Sequence, residues 1–135
     1  MRTSIALIMV SLSLPPIAHA QQAGQSVADA ATFGAVAALA PLCGLHDETW
    51  SADLRRAARQ RASGLPETDD AALVAQPNSG QLGAALGYGE MEALEDLATD
   101  TPDVTCKALS ANPALSKAEE AVRAFRLLRD GKPVG

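Results

Sequence analysis

Three observations predict an all-α fold, a small bundle of four to five helices tied by one disulfide. Apolar residues recur at three- and four-residue spacing in separate stretches, most of them opened by a capping residue and closed by glycine or proline. No stretch alternates apolar and polar positions around β-branched residues as a strand does. The chain also holds a single cysteine pair, Cys43 and Cys106, behind a start that reads as an export signal.

That start predicts where the protein works. Arg2 supplies a positive end, Ser4 to Leu14 an apolar run, Pro15-Pro16 a break, and Ala18-His19-Ala20 the small-x-small pattern of a cleavage site. Residues 1–20 are therefore expected to be removed as a signal peptide. Residues 21–135 are expected to form a single helical domain with loose ends, beginning at Gln21. The apolar run is shorter than the ~20 residues of a spanning helix, and no cysteine lies near the cleavage point to accept a lipid. A periplasmic or secreted location without a membrane anchor is the expectation.

Loss of Arg2 leaves ten basic and sixteen acidic residues, a net charge of −6. Such a surface repels nucleic acid phosphates and anionic lipid, so neither is expected as a partner. Four aromatic residues, Phe33, Trp50, Tyr88 and Phe125, stand against abundant alanine, so the core must form from small side chains in close approach. Such a core buries little area per residue. In an oxidising compartment Cys43 and Cys106 most simply form one internal bridge, worth roughly 4 kcal/mol in the chain-entropy account. A catalytic dithiol usually takes the form Cys-x-x-Cys, which this pair does not.

The first helix is expected to start at Val27, where Ser26 and Asp29 resemble a capping box, and to run through Phe33, Val36 and Leu39 toward Cys43. Apolar nearly all round, it should be central. Pro41 kinks it or ends it early, and Gly44 suits a left-handed closing residue. A second helix fits Glu48 to about Ala62, capped by Asp47 or Thr49. Trp50, Leu54, Ala57 and Ala58 share one face, and Arg55, Arg56 and Arg59 share the opposite face, toward water. Arg61 falls at the end of the apolar face near the helix C-terminus, where its stem covers apolar surface and its charge suits the dipole or a buried carboxylate.

Residues 63–80 read as a long connection with a short apolar piece, Ala71 to Ala75, of one or two helical turns. A third helix covers part of Gln81 to Ala98. Gly83, Gly87 and Gly89 leave two alternatives: a late start near Gly89, or an early start with the glycines admitting another helix at close range. Thr101-Pro102 opens a short helix carrying Cys106 and Leu109, and Asn112-Pro113 stops it. Ser116 to Glu119 reads as a capping box for the last helix, with Ala118, Ala121, Val122, Phe125 and Leu128 as its apolar stripe.

Chemistry is sparsely supplied. The predicted mature chain has one histidine, His46, and no Gly-x-Ser-x-Gly elbow to expose a serine beside it. His46, Asp47 and Glu48 lie too close in sequence to meet one metal ion easily, and no metal, calcium or haem motif supports them. Gly87-Tyr88-Gly89 lacks the third glycine of a nucleotide loop. Neither cofactor nor metal is expected, and no catalytic residue is assigned. On an early-starting third helix, Leu82, Leu86, Glu90 and Leu94 form one row, so Glu90 becomes a carboxylate within an apolar stripe, with Arg61 as a candidate mate. On a late-starting helix Glu90 sits in the first turn, and Glu92, Glu95 and Asp96 form a solvated face. Candidates for binding or buried polar roles are thus Glu90, Arg61, His46, Trp50 and Tyr88.

The segment Leu39-Ala40-Pro41-Leu42-Cys43-Gly44-Leu45, followed by Trp50, Gly87-Tyr88 and Cys106, resembles small signal-bearing helical proteins of Gram-negative bacteria that have no assigned activity. The resemblance implies a periplasmic location and the cysteine bridge, and transfers no catalytic residue. The functional expectation is a non-enzymatic factor binding a protein or a small apolar ligand, of immunity, inhibitor or chaperone type. A small hydrolase or lyase using Glu90 with His46 or Arg61 is the first alternative, and a structural component of an envelope complex the second.

Overall fold

The computed structural model describes residues 15–131, with side chains from residue 27 onward. Most of the predicted signal, residues 1–14, and the tail after Gly131 lie outside the described residues. Six helices follow one another: α1 Pro15–Leu42, α2 Glu48–Ser63, α3 Asp70–Val74, α4 Ser79–Thr99, α5 Pro102–Ala111 and α6 Pro113–Asp130. No strand occurs among the described residues. The all-α expectation holds, but the count of four to five is one short. The additional helix is α3, a single turn capped by Asp69, whose carboxylate accepts the Ala72 N–H at 3.1 Å. Its Leu73 is buried and pins the long connection to the core.

Helix α1 starts twelve residues before the expected Val27. A serine caps a helix only where the chain ahead of it is not helical, and residues 17–25 are mostly alanine, glutamine and isoleucine with one glycine. Pro15 and Pro16 suit a first turn, whose N–H groups have no intrahelical partner. At the other end, Pro41 is the next-to-last residue of the helix. The chain then turns tightly: the Leu39 carbonyl accepts the Cys43 N–H at 2.8 Å, the Ala40 carbonyl accepts that of Leu45 at 2.9 Å, and Gly44 takes φ +69°. Asp47 caps α2 by accepting the Trp50 N–H at 2.8 Å.

Helix α4 takes the early start. Leu82, Leu86 and Ala93 on one side join Ala30, Phe33, Val36 and Ala37 of α1 in the core. The glycines explain how: a Cβ on Gly89 would meet the Ala31 carbonyl oxygen, and one on Gly34 would meet that of Leu86. The two backbones touch there. Thr32 to Leu39 of α1 and the end of α4 border one cleft, so both helices run in the same general sense. Helix α5 then brings Cys106 to Cys43, and the two form a disulfide with their Cα atoms 5.4 Å apart.

Helix α6 begins at Pro113 rather than at Ser116, because Asn112 is itself the cap, accepting the Ala114 N–H at 2.9 Å. Asn112-Pro113 therefore stops one helix and starts the next. Ala118, Ala121, Val122 and Phe125 are buried as expected, but Leu128 is 46% exposed because the stripe passes the end of the core. The central place of α1 is as expected, since it packs against α2, α4, α5 and α6.

Gly89→Ala should cost about 2 kcal/mol or more, because the added carbon has only backbone to displace. Gly87→Ala meets open space in the same helix and should stabilise by about 0.5–1 kcal/mol. Urea unfolding of the two variants checks this, and equal effects would contradict the close crossing.

Candidate functional site

His46 lies between the left-handed Gly44 and the cap Asp47, at the corner where α1 passes into α2. Its ring stacks on Trp50, with centroids 3.8 Å apart and planes 9° from parallel. Its Nε2 lies 2.9 Å from Oε2 of Glu119 on α6. One face of the imidazole and one nitrogen are thus committed to structure. No group of three metal-ligating side chains gathers among the described residues, so His46, Asp47 and Glu48 do not form a centre there.

Glu90 faces Arg55 of α2, not Arg61, with 3.9 Å between Oε2 and the guanidinium. Both groups are half-exposed, so this is a loose pair. Arg61 instead extends over the Phe33 ring at 5.7 Å, covering apolar surface with its charge exposed. Trp50 is buried and Tyr88 is 59% exposed. The candidates therefore do not converge. Glu90 follows Gly89, which abuts Ala31, whereas His46 lies beyond Leu42; the helix between Ala31 and Leu42 rises ~16 Å.

The expected solvated face of α2 is a set of contacts instead. Arg59 donates to the Ser79 hydroxyl at 2.8 Å and to its carbonyl at 3.2 Å, holding the start of α4. Arg56 reaches Asp53 at 3.0 Å and Asp70 of α3 at 2.8 Å. Long side chains on a short, small-residue bundle reach past the surface of their own helix to the next one.

Asp53 is the buried charged group that the sequence did not single out. Its side chain is 2% exposed, and it accepts from Arg126 at 2.8 Å, Arg129 at 2.9 Å and Arg56 at 3.0 Å. Burial alone pushes its pKa up, but the hydrogen bond from Arg126, the charge of Arg129 and the hydrogen bond from Arg56 together outweigh that and hold it below the usual carboxylate value. A signal was present: Asp53 falls three residues after Trp50 and four before Ala57, inside the apolar stripe of α2. Three basic partners and no unoccupied neighbour make this a clasp between α2 and α6, not a proton-transfer site.

The chain matches no protein-family model, no curated protein and no solved structure.

The outer side of α4 carries an exposed apolar row. Gly87, Met91, Leu94 and Ala98 recur at helical spacing along a shallow depression bordered by Glu90 and Glu95, with Tyr88 beside it. Met91 is 58% and Leu94 41% exposed.

Asp53→Asn leaves two arginines of α6 facing an uncharged amide and should cost about 3 kcal/mol near neutral pH. A carboxyl depressed in the folded state stabilises fully above its unfolded pKa, near 3.9, and loses that contribution as pH falls through the folded value. The stability gap between wild type and Asp53→Asn should therefore be widest above about pH 4 and narrow below it. Denaturant titrations across that range would refute the clasp if the gap stayed constant.

Proposed function

We propose that this protein is an exported, non-enzymatic accessory factor that binds another protein through the outer face of α4. The carrying observation is that α4 is apolar on two sides. Leu82, Leu86 and Ala93 are spent in the core, while Tyr88, Met91 and Leu94 remain exposed on the other side. Aromatic residues and methionine are favoured at the centres of protein interfaces, and a rim containing Glu90 and Glu95 suits a partner with basic side chains around an apolar knob. An immunity, inhibitor or chaperone role is compatible with such a face.

Export is supported by the signal-like residues 1–20 and by the Cys43–Cys106 bridge, a bond that persists in oxidising compartments. No described helix is long and apolar enough to cross a membrane. The enzyme alternative needs a cleft joining Glu90 to His46 or Arg61, and those three groups lie in separate contacts.

The exported protein should have the mass of residues 21–135 less two hydrogens for the bridge. Intact mass spectrometry tests this, and retention of residues 1–20 or an added acyl chain would defeat it.

Met91→Asp places a charge at the middle of the exposed row and leaves the core untouched. A tagged wild-type protein recovered from its own compartment should retain one stoichiometric partner, and Met91→Asp should lose it at an unchanged melting temperature. Equal recovery by both proteins would sink the reading. Glu90→Gln removes a loose pair worth about 0–1 kcal/mol, so melting should change little, and the loss of one rim charge should weaken partner binding far less than Met91→Asp does. Loss of a measurable turnover in that variant, with the fold intact, would establish the enzyme alternative instead.

A further inference from the structure

On a different face from the exposed row of α4, the end of that helix meets α1 and α5. A cleft of about 270 Å³ opens there, with Val36 and Leu39 of α1 and Val104 and Leu109 of α5 as apolar walls. Asp96 and Asp100, one helical turn apart, stand on its α4 side.

Both carboxylates are exposed, and no basic side chain pairs with them among the described residues. Asp100 is the C-terminal residue cap of α4, a helix of 21 residues with no basic residue in its last turn. The carbonyl end of a helix carries a partial negative charge, and Lys, Arg or His usually answers it. Here two carboxylates are added to it, four residues apart and mutually repulsive. Neither forms an ion pair among the described residues, although Asp29, Asp53, Asp70, Glu90, Glu119 and Asp130 all do. An unanswered negative field beside apolar walls selects for a ligand that is cationic at one end and hydrocarbon at the other.

We infer that this cleft binds a small organic cation, an amine whose ammonium sits between Asp96 and Asp100 and whose apolar body fills the space between α1 and α5. A bare metal ion is a poor occupant, because no third ligating side chain joins the two carboxylates among the described residues and the walls are hydrocarbon. Size sets the class further. A dry cavity of ~150 Å³ takes a benzene ring, so this cleft takes a ring with a short alkyl chain. Thr105 also lines it, and its buried hydroxyl has no hydrogen-bond partner.

Three probes of one shape separate charge from apolar filling: phenylpropylammonium, phenylpropanol and phenylpropanoate, each titrated into the folded protein and followed by amide NMR. The ammonium should shift resonances of Val36 to Leu39 and Asp96 to Thr105, and should bind about tenfold more tightly than the alcohol, with the carboxylate weakest. Asp96→Asn/Asp100→Asn relieves a like-charge pair, so it should melt no lower than wild type. In that variant the ammonium should fall to the affinity of the alcohol, while the alcohol is unchanged. Ala108→Phe, on the rim of the cleft, should exclude all three. Absence of binding by every probe, equal affinities in wild type, shifts mapping elsewhere, or a preference for the ammonium that survives the double substitution would each overturn the assignment. Should Ala108→Phe fail to fold, the double substitution decides alone.

Discussion

The contact on which the other features depend is the crossing of α1 and α4 at Gly34 and Gly89, where each glycine faces a carbonyl of the opposite helix. With four aromatic residues in the whole chain, and only three of them buried, large side chains are too few to fill the space between helices packed at ordinary distances. Bringing the backbones together removes that space instead. Ala30, Ala37, Ala40, Ala57, Ala58, Ala93, Ala118 and Ala121 then complete the core. The same crossing turns the apolar row of Met91 and Leu94 outward, since the Gly89 side of α4 is the one that α1 takes.

Two devices fasten the elements that this crossing does not hold. Helix α6 lies mainly against α2, where Asp53 accepts from two of its arginines and a third donor comes from α2 itself. Breaking a buried carboxylate of this kind is costly, because its partners stay behind as charges. Helix α5 is the least anchored. Leu109 is its one buried side chain, and the disulfide fixes its middle to the end of α1. Covalent closure does for α5 what packing does for α4.

How much the sequence disclosed depended on whether the signal was local. The cap Asp47, the closing Gly44, proline at the start of α5 and the buried stripe from Ala118 to Phe125 are each set by neighbours within one or two turns, and each lies where the pattern puts it. The start of α4 was undecidable locally, because glycine weakens a helix and also permits a close crossing. Only the presence of Gly34 on the opposite helix separates the two outcomes. Arg55, Arg56 and Arg59 read as a solvated face for the same reason, since Glu90, Asp70 and Ser79 come to them from other elements. Asp53 was legible in part: its position within an apolar stripe marked it, while Arg126 and Arg129 lie more than seventy residues away. The candidate groups Glu90, His46 and Arg61 were individually visible, and their separation was not.

Trp50 is the chain's one tryptophan, and its indole is stacked against an imidazole that Glu119 holds from α6. The corner formed by α1, α2 and α6 therefore contains a native chromophore whose emission depends on a neighbour tethered to the last helix. Release of α6 from α2 would remove the Glu119 contact that holds the imidazole on the indole. Fluorescence of the unlabelled protein thus reports on how α6 sits against α2 as well as on the burial of Trp50.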